Sequence, residues 1–320
     1  MKNIRREDIH LNAEYGALSE EEVTKALKEN VYNDNISWQK FFRLFFAALG
    51  VGFMVSGIVF FFAYNWEDLH KFTKIGLIEG LIIATTSLVL ILKININIRN
   101  IILTGTSILV GVLFAVYGQI YQTGANAYDF FLGWTIFITL WVIVSNFTPL
   151  WLIYIVLINT TFILYSQQVA KDWSEVFVFT SLFIINMIVL TIAVILSKYK
   201  KAIIIPDWFL NTVALASASY ATIGIVIGIF DDYQATFPVL ILMAVAAPVF
   251  ALGIWHGLKT KSGFYLSVIP FCLIIIASAL LIRISEGAMM FLLVSLFIVA
   301  GVTLTIKNLI NIQKKKESNQ

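Results

Sequence analysis

Two short stretches hold most of the side chains with chemistry to offer. The first, FFFAYNWEDLHKF (Phe60 to Phe72), sets Tyr64, Asn65 and Trp66 in a row. The second, VYGQIYQTGANAYD (Val116 to Asp129), gathers Tyr117, Gln119, Tyr121 and Gln122. Aromatic rings stack, while phenols, indole N–H groups and amides form hydrogen bonds. Such a set suits a lipid headgroup, a sugar or a peptide. The same residues suit a plainer task, capping two helices and anchoring them in a headgroup layer, and their spacing leaves both readings open. Gln122 follows Gly118 by one helical turn, so it continues a face that also carries Gly111 and Ala115. On that ground Gln122 is expected to be buried, against the neighbouring end of the first apolar helix.

Catalytic chemistry finds little to build from. No HExxH, GxSxG or Walker loop occurs, and no Ser–His or Cys–His pair stands at a recognisable spacing. His10, His70 and His256 lie far apart, and the single thiol, Cys272, excludes an intramolecular disulfide or a cysteine-rich metal centre. The expectation is a protein that is not an enzyme, with no catalytic residues, no metal site and no cofactor. One ionisable group falls inside an apolar run: Glu79, in KIGLIEGLIIATT. Intramembrane carboxylates are costly and usually functional. Glu79 could instead reach the interface and pair with Lys74 or Lys71. A transporter or lipid carrier using this carboxylate is the alternative reading, although no second acid lies deep on another helix to complete a proton relay.

The elements that must position these residues follow from composition. Apolar residues make up 59% of the 320 and charged residues only 13%, with a mean hydropathy of +0.87. A soluble domain carries about 25% charged residues, and a core of this length could not hide so much apolar surface. Ten apolar segments have the length to cross a hydrocarbon layer: 41–64, 75–92, 101–121, 130–147, 150–166, 176–197, 209–230, 237–255, 264–283 and 288–306. The fold class is therefore an all-α polytopic transmembrane bundle. Its parts are an N-terminal helical region (1–38), a transmembrane domain (39–306) and a basic tail (307–320). Pro149 marks the break between the fourth and fifth segments.

In the N-terminal region, Ser19 with Glu22 three residues on forms a capping-box pattern before an amphipathic helix, with a turn at Gly16. Too small for a core of its own, the region rests on the membrane domain or on a cytoplasmic partner protein. Three stripes of small residues predict close helix contacts: Ala48, Gly52 and Ser56; Gly111, Ala115 and Gly118; Ser217, Ala221, Gly224 and Gly228. Deep Thr85, Thr86, Ser87, Asn159, Thr160, Thr161 and Asn186 are expected to bond between helices. The expected partners are membrane lipids, with no nucleic acid; the oligomeric state is not legible.

The two motifs also carry a resemblance. An apolar run ending in Asn65–Trp66, and a downstream Gly118–Gln119–Ile120–Tyr121–Gln122 followed by a helix bearing Trp134, resemble the bacterial membrane proteins of domain-of-unknown-function family 2157. The opening EYGALSEEEVTKAL is similar to that family's short first helices. The resemblance covers roughly residues 10–150 and implies a bacterial inner-membrane location without implying an activity.

Basic residues set the orientation. With the N-terminus inside, only Lys71, Lys74, Lys171 and Arg283 of the 22 Lys and Arg fall outside, leaving 18 on the cytoplasmic side. Both termini are thus expected in the cytoplasm. A reporter active only in the periplasm, fused to Gln320, should give no signal; strong signal would mean an odd number of crossings.

Overall fold

The computed structural model describes residues 9, 13, 16, 19–30, 35–65, 67–121, 124, 126–199, 205–231, 236–284 and 289–317. Among them the regular structure is helical throughout, in eleven helices of which ten are long and apolar enough to cross a membrane. They are α1 (Glu20–Asn30), α2 (Asn35–Tyr64), α3 (Lys71–Ile91), α4 (Ile96–Tyr121), α5 (Ala127–Ser145) and α6 (Thr148–Gln168). Then follow α7 (Glu175–Tyr199), α8 (Asp207–Phe230), α9 (Thr236–Thr260), α10 (Gly263–Ile284) and α11 (Met289–Glu317). All ten expected spans are present, so the chain is a polytopic helical membrane protein. The apolar part of α11 ends near residue 306, while the helix itself continues to Glu317.

Local chemistry explains where helices start and stop. Ser19 Oγ accepts from the Glu22 N–H at 3.3 Å, and the Glu22 carboxylate accepts from the Ser19 N–H at 2.8 Å, forming the reciprocal cap of α1. These bonds, chiefly the one from the Ser19 backbone, hold the Glu22 carboxyl below its ordinary range. Their stabilisation is present above the unfolded pKa and is lost as pH falls through the lowered one. Gly16 turns the chain at φ +73°, its N–H bonded to the Ala13 carbonyl. Between α5 and α6, Asn146 adopts the left-handed conformation (φ 46°, ψ 41°) that its short polar side chain tolerates. Pro149, in the first turn of α6, has no N–H to leave unpaired there.

The chain divides into two compact units: residues 1–125 with 136–145, and residues 126–135 with 146–320. In unit 1, α4 packs against both α2 and α3. Thr85 and Thr106 join α3 to α4 by a hydroxyl hydrogen bond of 2.9 Å. In unit 2, α8 packs on α7, α9 and α10, and α10 also carries α11. The core of this unit gathers Phe183, Ala221, Ile225, Leu242 and Phe250. Asn159 of α6 and Asn186 of α7 exchange two amide hydrogen bonds, at 2.9 and 3.2 Å, and Asn186 also donates to the Leu182 carbonyl at 2.8 Å. The expected interhelical bonding is thus present for Thr85, Asn159 and Asn186, but Thr161 donates instead to the Leu157 carbonyl of its own helix, and Thr86 Oγ1 is buried without a partner among the described residues.

Of the three small-residue stripes, one makes the expected contact. Ser217, Ala221 and Gly224 are buried; a Cβ on Gly224 would lie 2.8 Å from Leu242 and 2.9 Å from Phe179, and one on Gly228 would collide with Val239. The other two expectations need correction. Ala48, Gly52 and Ser56 are exposed, as are Ala115 and Gly118, and only Gly111 is buried. The close approach of α2 to α4 is made instead at Gly105, whose missing side chain leaves room for Val51 and Val55. One glycine facing a branched partner suffices for such an approach, so a matching stripe on the second helix is unnecessary. Gly228→Ala should therefore destabilise by about 1–3 kcal/mol through overpacking. Gly118→Ala, whose Cβ would meet nothing within 4 Å, should be neutral or stabilise by up to about 1 kcal/mol through helix propensity. Reversible unfolding in detergent would read the opposite signs.

Candidate functional site

At one end of unit 1 the C-termini of α2 and α4 meet the N-terminus of α3. Phe62, Ile78 and Val116 are fully packed there, with Ile58, Leu69, Ile75 and Ile120 around them. The expected proximity of the ends of α2 and α4 is therefore present. Helical geometry then decides what happens to the polar residues between these anchors. With Phe62 turned inward, Tyr64 points away and is 89% exposed. With Val116 and Ile120 turned inward, Tyr117, Gln119 and Tyr121 project outward. The Tyr117 and Tyr121 rings, one turn apart, lie 4.5 Å centre to centre at 40°, making a continuous aromatic surface.

Asn65 is half-buried and serves its own helix. Its side chain donates to the Phe61 carbonyl at 2.9 Å, and its backbone N–H reaches the same oxygen at 3.0 Å, so the last turn of α2 is closed locally. His70 caps α3, with Nδ1 accepting from the Phe72 N–H at 3.4 Å. Lys71 sits 5.2 Å from the Phe72 ring centre. Trp66 and Gln122 lie outside the described residues, and so does the expected burial of Gln122 against Asn65. Tyr64, Tyr117, Gln119 and Tyr121 thus each face outward from the joined helix ends, while Asn65 closes the last turn of α2.

Glu79 stands apart from this surface, exposed on α3. The expected partner Lys74 is buried, at 7% exposure, on another face of the same helix. Five residues at 3.6 per turn place two side chains well over a right angle apart, which is why the two diverge. The hollow between α2 and α3 is lined by Gly57, Phe61, Phe62, Leu77 and Leu81, without Glu79. Among the described residues no group of three or more His, Cys, Asp and Glu side chains could hold a metal ion.

Two features of unit 2 had no signal in the sequence as a site. The Asn159–Asn186 pairing is one; each amide reads alone as a deep polar residue, and only packing of α6 on α7 shows that they satisfy each other. The second is a hollow of about 540 Å³ bordered by Trp151 and Tyr154 of α6, Ala193 of α7 and Phe209 of α8. A space between helices is a property of their packing, and no periodicity within one helix announces it.

Comparison with known families agrees with the resemblance carried by the two motifs. Residues 13–151 match the family model described as predicted membrane protein (DUF2157). The match includes α1 to α5, the outward-facing tyrosines and the first residues of α6. No curated protein and no solved structure matches the chain.

An outward-facing amide is cheap to remove, whereas a buried, paired one is not. Gln119→Ala should change stability by no more than about 0.5 kcal/mol. Asn159→Ala, which leaves Asn186 short of a partner, should cost about 1–3 kcal/mol. Denaturant titration of both variants in the same detergent would check the contrast.

Proposed function

We propose that this chain is a non-enzymatic integral protein of a bacterial inner membrane, with both termini in the cytoplasm, whose outer face contacts a ligand or lipid headgroups through unit 1. The family match over residues 13–151 supports the membrane assignment, and the bias of Lys and Arg supports the orientation. In that orientation the joined ends of α2 and α4 face outward from the cell.

One observation carries the functional reading. Phe62, Val116 and Ile120 already hold the helix ends together, so Tyr64, Tyr117, Gln119 and Tyr121 are not needed for packing and remain presented to the surroundings. Aromatic rings beside amides at a membrane boundary bind groups with one flat or apolar side and one polar side. The carrier reading is less well supported. Its carboxylate, Glu79, is exposed and lies outside the α2–α3 hollow. No described acid is buried to act as a second station.

A photoreactive phenylalanine in place of Tyr121 tests the reading in intact membranes. Irradiation should produce adducts with phospholipid headgroups or with a bound solute, identified by mass spectrometry. The same probe at Phe53, which is 70% exposed along the apolar stretch of α2, should produce adducts with acyl chains only. Identical adducts at both positions would remove the case for a specific surface.

A further inference from the structure

The last span, α11, carries its lysines in line with the side it turns away from the bundle. Val294 and Thr305 are buried, and Gly301 on the same side approaches Ile274 of α10, where an added Cβ would lie 3.1 Å away. Leu309 and Ile312, both half-buried, continue that packed side. The opposite side holds Leu296, Val299, Thr303, Lys307, Ile310 and Lys314, three or four residues apart and all exposed. At 3.6 residues per turn, Lys307 stands about 200° and Lys314 about 180° around the helix from Thr305. The two lysines therefore share one stripe with the apolar residues that precede them.

Axial distance sets the two lysines at different depths. From Met289 to Ile310 the helix rises about 32 Å, enough to cross a hydrocarbon layer of about 30 Å. Ile306 and Ile310, before and after Lys307, are exposed apolar residues, so Lys307 leaves the helix within its last apolar turns. An ammonium in that place is carried outward to the headgroups by its own hydrocarbon stem. Lys314 is seven residues, about 10 Å, further along and past the apolar part. The helix runs without a break to Glu317, its only acidic residue, which keeps both lysines on the one stripe. One lysine thus meets the phosphate layer from the hydrocarbon side and the other from the water side.

We propose that this outward stripe of α11 binds an anionic phospholipid, with an acyl chain along Leu296 and Val299 and the phosphate between Lys307 and Lys314. The apolar part of the stripe favours a lipid over an acidic protein segment, because it leads directly into the lysines from the hydrocarbon. Lysines placed directly after a membrane span attract anionic headgroups by about fivefold each. The proposal rests neither on the tyrosines of unit 1 nor on which side of the membrane the helix end occupies.

The full chain, reconstituted in phosphatidylcholine vesicles, allows a direct test. A fluorescent label on Thr303→Cys reports on lipid at the stripe; Cys272 is buried, and the unsubstituted chain treated alike gives the background. Lipids with a nitroxide on the acyl chain quench such a label on contact. Nitroxide phosphatidylglycerol should quench at a content about 25-fold below that needed with nitroxide phosphatidylcholine, two lysines giving about fivefold each. Lys307→Gln and Lys314→Gln should each narrow the preference about fivefold, and the double substitution should abolish it. Lys259→Gln, which removes the same charge from α9, should leave it unchanged, as should added inorganic phosphate, which has no acyl chain. A label on Leu292→Cys, near the other end of α11, should see the two lipids alike. Equal quenching at Thr303 by both lipids, the outcome if the lysines serve water or an acidic protein segment instead, would overturn the proposal. So would a preference that survives the double substitution, appears equally at Leu292, or is removed by inorganic phosphate.

Discussion

Lipid offers no hydrogen-bond partners, and the rest of this structure depends on that. Every backbone polar group within the hydrocarbon must be satisfied inside its own helix, so the chain crosses as uninterrupted α-helices. The hydroxyls obey the same constraint. Thr104, Thr161, Thr180, Thr222, Ser295 and Thr305 each donate to the carbonyl four residues earlier, at 2.6 to 2.8 Å. A polar side chain that folds back this way places no demand on a neighbouring helix. Among those that reach across are Thr106 to Thr85, Asn159 with Asn186, and Ser217 to the Phe183 carbonyl, and these tie one helix to another.

The two units use this constraint differently. Unit 2 is drawn together around α8, whose face of small residues admits Phe179, Val239 and Leu242 to van der Waals contact. Close approach matters because apolar lipid supplies no hydrophobic drive for helix association, so dispersion and hydrogen bonds must supply it. Unit 1 concentrates its burial on α4, where Leu103, Thr106, Ser107 and Leu109 are buried. Its α2 instead leaves Phe42, Phe46, Phe53 and Phe60 exposed, a lipid-facing surface by composition. Thr86 Oγ1 and Asn100 Oδ1 remain buried without a hydrogen-bond partner among the described residues, so the α3–α4 layer carries a polar cost that unit 2 largely avoids.

Two features arise where packing stops short. In unit 1 the ends of α2 and α4 are held by a few apolar anchors, which leaves the intervening tyrosines and Gln119 facing outward. In unit 2 the asparagine pair closes α6 onto α7 at one level, and below it the helices enclose a space. Among their described residues neither feature includes a charged side chain. Each instead offers apolar and aromatic surface with a polar edge.

The sequence by itself determined the solvent, the number of crossings and the local punctuation. Length and hydrophobicity of each segment report directly on lipid. The Ser19–Glu22 cap, the Gly16 turn and the Pro149 break depend only on residues a few positions apart. Half of the candidate site was legible too, since the tyrosine and amide clusters stand out against apolar runs and the family match covers them. Only the tertiary structure decided which faces of those helices look inward. Gly118 and Gly224 both lie on small-residue stripes, yet one is open and the other buried, because the difference resides in the neighbouring helix. The same reason separates buried Lys74 from exposed Glu79, joins Asn159 to Asn186, and opens the hollow beside Trp151. Periodicity along one helix defines its faces, and the choice among them is made by whatever packs against them.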